Sequence, residues 1–361
     1  MKIVKVETIP LSVPVDFPVR NPRYGLNEKV TVVIAKVTTD DGLDAFGVTF
    51  TWVARQVKSL VASIEDLGAT IIGQDVMRPA EAWQKMYTAT VHMGHSGHSL
   101  YALSALDSAI WVLKAKALNQ PLWQLLGGCR DKVPAYASHL LWREWTIDRL
   151  QKDTAMFKEQ GFKYIKMKIG DLTIAEEIAR FKAVREAAGD KMQIMVDGNW
   201  QWTVKEAIRF GRALEEVGAF WLEDPLASED PEQIAEVTRA LDIPVATGET
   251  FNTKYDFRRL IEKHSADYYI ADLQRVGGIT EWMKVAAMLE AWNLPICSHL
   301  FPDFSLHLVA AAPNGFIVEY MPWWDKIYTE PHKVVNGFME APKTPGLGLE
   351  LDPAALKKWR I

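Results

Sequence analysis

The chain has 361 residues, 48% of them hydrophobic, and a formal net charge of -5 at pH 7. This length and apolar content allow a large buried core and favour two domains. The acidic balance without a dense basic run argues against a nucleic-acid partner, and the lack of a long apolar segment argues against a membrane partner.

The first third of the chain predicts an α+β capping domain over residues 1–130. The segment 30–39 has a strand pattern and is followed by the turn Asp40-Asp41-Gly42 and a second strand at 44–51. Helical periodicity then recurs at 53–67, 80–92 and 99–117. Strands followed by helices are typical of a separate α+β unit.

Two segments of this domain, 15–28 and 49–55, are predicted to be mobile loops that close over an active site. The start of the chain alternates like a strand and lacks the apolar core of a signal peptide. Cys129 and Cys297 are too few for a disulfide framework, which favours a reducing compartment. We therefore expect a cytoplasmic protein.

The middle of the chain, from about Val133, repeats a strand and helix unit. Seven short apolar runs each end in a polar residue, and these residues are 20 to 29 positions apart: Lys168, Asp197, Glu223, Glu249, Asp272, His299 and Glu319. Parallel strands joined by helices of this length close into a barrel, with the active site at the carboxyl ends of the strands. The repeat predicts an α/β barrel domain over residues 131–325 with one shared polar pocket.

Three of these residues form a candidate metal site. Asp197, Glu223 and Glu249 end successive strands, and converging carboxylates repel one another unless a cation lies among them. Ligands that are all oxygen favour Mg²⁺, with Mn²⁺ as the alternative. The other reading of the same residues is that they are solvated or paired with basic side chains.

Two groups are candidate bases. Lys166 and Lys168 share one face of a strand, and a lysine beside another cation has a lowered pKa and can act as a base. His299 ends the seventh run, and Asp272 ends the sixth, where its carboxylate can fix the histidine tautomer. Two bases at one site suggest removal of a proton from the carbon beside a carboxylate. Lys166 is then the ligand of that carboxylate, and Glu319, if protonated, is the donor to the developing oxyanion.

Four further residues are candidate substrate ligands: Asn199, Arg143, Trp142 and Tyr24. Arg143, just past the first barrel strand, is placed to bind a distal carboxylate or hydroxyl groups, although solvated loop arginines are common. Trp142 is one of several tryptophans in predicted loops or beyond strand ends, with Trp52, Trp200 and Trp323 among the others. Such tryptophans either stack on a sugar or line contacts between cap and barrel.

Together these motifs resemble the enolase superfamily, mandelate racemase subgroup. The resemblance covers nearly the whole chain and depends on Lys166-Met167-Lys168, Asp197-Gly198-Asn199, Glu223-Asp224-Pro225, Gly248-Glu249, Asp272 with Gly277-Gly278, Ser298-His299-Leu300-Phe301 and Glu319. It implies a modified TIM barrel of the (β/α)7β type, with a cap completed by residues 326–361. It also implies Lys168 as one base and the His299 and Asp272 dyad as the other, and a dimer-based homo-oligomer, up to an octamer.

The expected activity is Mg²⁺-dependent removal of the α-proton of a small carboxylate, most simply a sugar acid, followed by expulsion of the β-oxygen to give a 2-keto-3-deoxy acid. The enzyme is a dehydratase if a hydroxyl leaves and a cycloisomerase if the ether oxygen of an anhydro ring leaves. It is a 2-hydroxy acid racemase or epimerase if nothing leaves. A different class of function is non-catalytic ligand binding on the same scaffold, for which two bases would be unnecessary.

Overall fold

An antiparallel sheet opens the chain. In this computed structural model, which describes residues 1–21, 25–226 and 230–361, three strands pair in chain order: β1 (Ile3–Asn21), β2 (Gly25–Thr39) and β3 (Asp44–Thr51). The β-branched run of the central strand β2 is buried from Val30 to Ala35. Because this strand is buried on both faces, other elements must pack against each face of the sheet, and helices pack against one of them.

Four helices follow the sheet: α1 (Val57–Ile71), α2 (Pro79–Ala89), α3 (His98–Ala117) and α4 (Leu122–Leu125). Most residues of helix α3 are buried, including the polar Ser104 and Asp107, as in a helix that is packed on most of its sides. It approaches β3 so closely that a Cβ atom at Gly47 would lie 1.9 Å from the carbonyl oxygen of Ala105. Helix α3 therefore joins the cap sheet to the rest of the molecule.

The barrel strands are short and parallel, and each one ends at the same rim. Their bounds are β4 (Lys132–Ala137), β5 (Tyr164–Lys168), β6 (Gln193–Asp197), β7 (Leu222–Glu223), β8 (Val245–Thr247), β9 (Tyr268–Asp272), β10 (Ile296–His299) and β11 (Val318–Tyr320). Neighbours pair in chain order from β4 to β10, and β11 pairs with β4. Ser298 N donates to Ile317 O at 3.3 Å and Phe316 N to Ile296 O at 2.8 Å, which joins β10 to the β11 segment. The predicted barrel is confirmed.

The helices between these strands form the outer layer: α5 (Ile147–Glu159), α6 (Ile174–Ala188), α7 (Val204–Glu216), α8 (Pro231–Ala240), α9 (Thr253–Lys263), α10 (Leu273–Val276), α11 (Ile279–Ala291) and α12 (Pro302–Ala311). Side chains from the strands fill the barrel interior below the polar rim, including Tyr136, Met195, Trp221, Ile270 and Cys297. Burial raises the pKa of the Cys297 thiol well above its usual value, which fits a packed side chain.

The C-terminal segment contacts both the barrel and the first sheet. It contains β12 (Val334–Val335), β13 (Phe338–Glu340) and α13 (Pro353–Trp359). Strand β13 pairs antiparallel with the start of β4, and Ile361 N donates to Pro10 O of β1 at 3.1 Å. Helices long and apolar enough for a bilayer do not occur in the parts of the chain that the structure describes.

The prediction of loops at 15–28 and 49–55 was wrong in part. Strand β1 continues to Asn21, and β2 begins at Gly25, with the pairing shifted between Pro14 and Val19. Prolines are tolerated here because β1 is an edge strand, where one side of the backbone has no ladder to complete. Strand β3 likewise extends to Thr51, and only a 3-10 turn, Ala54–Gln56, separates it from α1.

Candidate active site

The predicted polar residues meet at the carboxyl-terminal rim of the barrel. Glu249 lies two residues beyond β8, whereas the others lie at the ends of their strands or within them. All are buried, and six line one pocket: Lys166, Lys168, Asp197, Glu249, His299 and Glu319. Glu223 and Asp272 are fully buried beside it. The rim therefore forms one pocket, as the strand repeat predicted.

Lys166 is held by anions. Its Nζ contacts a carboxylate oxygen of Glu223, lies 3.0 Å from Oε1 of Glu319 and is 3.7 Å from Oδ2 of Asp197. Burial alone would lower the pKa of Lys166, but Glu223 and Glu319 outweigh it and raise this pKa well above its usual value. Lys166 is therefore a permanent cation, suited to binding an anion and unsuited to taking a proton.

Lys168 has the opposite electrostatics although it is only two residues away. Its Nζ lies 3.3 Å from Ser138 Oγ and 3.8 Å from Asp197 Oδ2, and it stands 4.5 Å from the ring centre of Trp142. Burial and the neighbouring Lys166 ammonium lower the pKa of Lys168. A lowered lysine pKa makes the neutral amine accessible, as a general base requires.

His299 is paired with Asp272. The distance from Nδ1 to Oδ2 of Asp272 is 2.5 Å, and Nε2 lies 3.2 Å from Oε2 of Glu249. Burial acts to lower the pKa of His299, but Glu249, the Asp272 hydrogen bond and Glu319 outweigh it and raise the pKa. Oδ1 of Asp272 accepts from Arg275 N at 2.8 Å, which fixes the carboxylate at the start of α10. The ring is thus oriented, and its imidazolium form is stabilised.

The structure argues against a protonated Glu319. Although burial acts in the opposite direction, Lys166, His299 and Lys168 lower the pKa of Glu319 far below its usual range. Its Oε2 accepts from Leu300 N at 2.8 Å. Three neighbouring cationic groups favour the ionised form of Glu319, whereas the predicted role as an oxyanion donor needs the protonated form; that role stays a prediction.

The three candidate metal ligands are paired with protein cations. Glu223 contacts Lys166, Glu249 contacts His299, and Asp197 lies near both lysines. Within the described residues no group of three acidic, histidine or cysteine side chains is arranged as a ready metal site. The pairing with basic side chains, which the sequence left open, is therefore what this structure contains.

The donor set nevertheless fits a hard cation. Asp197, Glu223 and Glu249 offer only carboxylate oxygens, the ligands that Mg²⁺ prefers. Burial and the carboxylates of Asp197 and Glu249 act to raise the pKa of Glu223, whereas the Lys166 ammonium acts to lower it. Like charges therefore crowd one another here, and a divalent cation would relieve that repulsion.

The backbone around the pocket is strained at several strand ends. Asn199, Trp200 and Asp224 follow β6 and β7 with φ values of 49°, 62° and 40°, and Leu300 and Phe301 follow β10 with φ values of 50° and 49°. Non-glycine residues in this left-handed region are uncommon and cluster at functional sites. The tight turns bring Asn199 and Trp200 into the pocket lining.

The predicted substrate ligands have mixed outcomes. Asn199 and Trp142 line the pocket. Arg143 does not line it: its guanidinium donates to Asp171 Oδ1 and to Asn199 Oδ1, each at 3.2 Å. Arg143 thus orients Asn199, and its direct contact with a substrate stays a prediction. Tyr24 lies outside the described residues.

Some lining residues were not predicted. Arg275, three residues after Asp272, donates from Nη1 to the carbonyl oxygen of Glu249 at 2.8 Å. Met321 and Leu300 also line the pocket. The position of Arg275 just past a strand end was the available signal, but the short helix α10 that turns it inward has no pattern of its own.

Fold and site are those of a capped barrel enzyme whose ionisable side chains converge at the carboxyl ends of the strands. Residues 149–355 match the family described as "Enolase C-terminal domain-like", and residues 4–127 match "Mandelate racemase / muconate lactonizing enzyme, N-terminal domain". The chain belongs to the enolase superfamily, in its mandelate racemase and muconate lactonizing enzyme branch.

Curated relatives span almost the whole chain. L-talarate/galactarate dehydratase of Salmonella typhimurium is 32% identical over 97% of this chain and 88% of its own length. The 3,6-anhydro-alpha-L-galactonate cycloisomerase of Streptomyces coelicolor is 32% identical over 97% of both chains. These relatives are a lyase and an isomerase, and this chain is an enolase-superfamily enzyme of the same broad kind.

Solved structures agree with the fold. The crystal structure of L-talarate dehydratase from Polaromonas sp. JS666, complexed with Mg and L-glucarate, has a TM-score of 0.94 at 32% identity and covers 100% of this chain and 97% of its own. A racemase from Streptomyces coelicolor with bound magnesium has a TM-score of 0.94 at 31% identity, covering 99% of this chain and 100% of its own.

Proposed function

We propose that the protein removes the α-proton of a sugar acid and then expels the β-oxygen, which gives a 2-keto-3-deoxy acid. The observation that carries this proposal is the pair of opposed electrostatic environments in one pocket. The pKa of Lys168 is lowered and the pKa of His299 is raised. An elimination needs a neutral base and a protonated acid at the same time, and the opposed directions of these two pKa values favour that combination.

Lys168 is the proposed base, and its neutral amine takes the α-proton. Lys166, a permanent cation, binds the substrate carboxylate. His299 is the proposed acid: its imidazolium gives a proton to the leaving oxygen, while Asp272 holds the ring in position. Glu319, in its ionised form, keeps Lys166 in place through their 3.0 Å contact.

Asp197, Glu223 and Glu249 would hold Mg²⁺, with Mn²⁺ as the alternative. When bound, the metal stabilises negative charge on the substrate carboxylate as the α-proton leaves. The all-carboxylate donor set supports this assignment, as do the related structures that contain magnesium. Loading requires Lys166 and His299 to yield part of their present contacts with Glu223 and Glu249.

Racemisation or epimerisation is the second candidate. It would use each of the two groups as both acid and base, so that matched pKa values would serve it best. The opposed directions of the two pKa values favour elimination instead. The names of the curated relatives, a dehydratase and a cycloisomerase, favour the same outcome.

We also propose a domain division, an assembly and a cellular location. We take residues 1–130 with 326–361 as the capping domain and 131–325 as the catalytic barrel, and the assembly as a dimer-based homo-oligomer in the cytoplasm. The hydrogen bond from Ile361 N to Pro10 O of β1 supports this division, whereas β13 pairs with the barrel strand β4. Light scattering of the purified protein measures the assembly, and a monomer would contradict it.

Proton NMR tests the proposed reaction. The Mg²⁺-loaded protein is incubated in D2O with aldonic, aldaric, anhydro-sugar and aromatic 2-hydroxy acids. New 2-keto-3-deoxy signals are expected, and they fall by about 1,000-fold or more in Lys168→Ala. Lys163→Ala, which removes an exposed lysine next to the same strand, is the matched control and keeps its rate.

Two outcomes would contradict the proposal. Exchange of the α-proton without a new product across all the acids would indicate racemisation. Neither product formation nor α-proton exchange with any of these acids, with Mg²⁺ binding confirmed by calorimetry, would indicate a non-catalytic binding protein.

A further inference from the structure

We infer that a buried ion pair between Glu177 and Arg180 positions the proposed base Lys168. The pair lies on α6, in the outer layer of the barrel, and holds the segments that follow β4 and β5. Both members act through other residues, so they are positioning residues. The inference rests on the proposed function, because it concerns the geometry of the same proton transfer.

Both members of this pair are almost fully buried. Arg180 Nη1 lies 2.7 Å from Oε2 of Glu177, three residues earlier on the helix, and their side chains are 5% and 1% exposed. Taking two charges out of water is costly, and apolar side chains of similar volume are often as stabilising as a buried ion pair. Fold stability alone therefore gives little reason for charged residues here, and their other hydrogen bonds supply a better one.

The remaining oxygen and nitrogen of the pair bind the backbone of two loops at the rim. Oε1 of Glu177 accepts from Gly170 N at 2.9 Å, in the segment that follows β5. Arg180 Nη2 donates to the carbonyl oxygens of Trp142 at 3.1 Å and Trp145 at 3.4 Å, in the segment that follows β4. One ion pair thus connects the two loops.

The loop after β4 is in direct contact with the base. The ring centre of Trp142 lies 4.5 Å from Nζ of Lys168, and Lys168 N donates to Leu141 O at 3.0 Å. Leu141 has a φ of 60°, a left-handed value that a leucine keeps only when its surroundings impose it. The hydrogen bond from Arg180 to the next residue supplies part of that constraint. The pair thereby fixes both the backbone and the aromatic neighbour of the base.

This constraint concerns proton transfer more than substrate binding. Proton abstraction needs the amine of Lys168 within hydrogen-bonding distance of the α-proton, and a displacement of about 1 Å can lower a rate by about 100-fold. Lys166, the proposed ligand of the substrate carboxylate, is held by Glu223 and Glu319 instead. Loosening the two loops should therefore lower kcat and leave KM nearly unchanged.

Arg180→Lys tests the inference in the Mg²⁺-loaded protein with an accepted sugar acid. Lysine keeps a charge beside Glu177 but lacks the planar fork that reaches the carbonyl oxygens of Trp142 and Trp145. We expect kcat to fall by about 10-fold while KM changes by less than about 2-fold. Exchange of the α-proton in D2O should fall by a similar factor, because the affected step is proton abstraction.

Arg185→Lys is the matched control, since it makes the same substitution on the same helix. Arg185 donates from Nη1 to Gly189 O and from Nη2 to Gly218 O, each at 3.1 Å. These carbonyl oxygens lie in loops that precede β6 and β7, at the end of the barrel opposite the pocket. The control should lower the urea midpoint and keep kcat within about 2-fold of the native value.

A double variant separates positioning from folding. Glu177→Leu combined with Arg180→Met removes both charges together, so no buried charge is left without its partner. This variant should keep a urea midpoint near that of the native chain. Its kcat should fall at least as far as that of Arg180→Lys, because every hydrogen bond of the pair to the two loops is lost.

Three results would overturn the inference and leave the proposed elimination intact. They are a native kcat in Arg180→Lys or in the double variant, a loss confined to KM, and an equal loss of kcat in Arg185→Lys. No turnover of any acid by the native metal-loaded protein would overturn both proposals.

Discussion

Hydrogen bonds of Gln274 connect the cap to the segment that carries the proposed dyad of Asp272 and His299. Gln274 lies two residues after Asp272, and its Oε1 accepts from Thr49 Oγ1 at 2.8 Å and from Phe50 N at 3.1 Å. All three residues are buried, so water cannot replace these hydrogen bonds. Replacing Gln274 by methionine keeps the volume of the side chain and removes the acceptor.

The cost can be worked out from the two donors. A buried donor left without an acceptor costs ~1–3 kcal/mol. The Phe50 N–H is fixed by the backbone, so its loss of an acceptor carries this cost in full. The Thr49 hydroxyl can rotate, so its cost is smaller. We expect Gln274→Met to lower the free energy of unfolding by ~2–4 kcal/mol, measured from urea denaturation. On a Thr49→Val background the same change should cost ~1 kcal/mol less, because one donor is already absent.

Activity should fall as well. Helix α10 carries Gln274 and also Arg275, whose backbone N–H and guanidinium hold Asp272 and the carbonyl oxygen of Glu249. Loosening it is expected to lower kcat by about 10-fold. Gln84→Met, at an exposed position on α2, is the control and should change stability by less than ~0.5 kcal/mol. A loss below ~0.5 kcal/mol for Gln274→Met would refute the reasoning.

Three further predictions concern the site and its support. Asp272→Asn should lower kcat by about 100-fold. It should also move the limb of the pH–rate profile that reports the His299 imidazolium to lower pH, because a carboxylate that raises the pKa of His299 is lost. A limb that stays at the same pH would contradict the pairing of Asp272 with His299. Dialysis against EDTA should abolish turnover and Mg²⁺ should restore it, with full activity after dialysis as the contrary result. Burial raises the pKa of Asp107 to about 7 despite its hydrogen bonds from Thr280, so its contribution to stability is present below pH 3.8 and is lost as the pH rises through 7. Urea denaturation should therefore show that the free energy of unfolding of Asp107→Asn, relative to that of the native chain, rises by up to ~4 kcal/mol between pH 4 and pH 8. Free energies of unfolding that change in parallel with pH would contradict this.

Much of the barrel could be predicted because parallel strands buried on both faces leave near-continuous apolar runs, and each ends at the same rim. Lys168, Asp197, Asp272 and His299 lie at strand ends as expected. Only Leu222 and Glu223 pair as a strand at the end of the third run, and Glu249 lies beyond its strand. Apolar runs mark burial, whereas pairing also depends on where the neighbouring strand ends.

The features that the sequence pattern could not predict have a common physical origin in long-range contacts. The engagement of Arg143 by Asp171 and Asn199 joins three separate loops, and no local pattern encodes it. The ionised state of Glu319 depends on three cations supplied by β5 and β10. The extension of β1 and β2 as far as the pair Asn21 and Gly25 depends on backbone pairing between the two strands, which the pattern of neither segment alone specifies.

The most direct test of the acid–base assignment is α-proton exchange in D2O, followed by NMR for an accepted substrate with His299→Asn and Lys168→Ala in their Mg²⁺-loaded forms. The account predicts that His299→Asn still exchanges the α-proton but forms little 2-keto acid, because the base remains and the acid is missing. Lys168→Ala should neither exchange nor eliminate. Exchange that survives in Lys168→Ala and disappears in His299→Asn would contradict the assignment and make His299 the base.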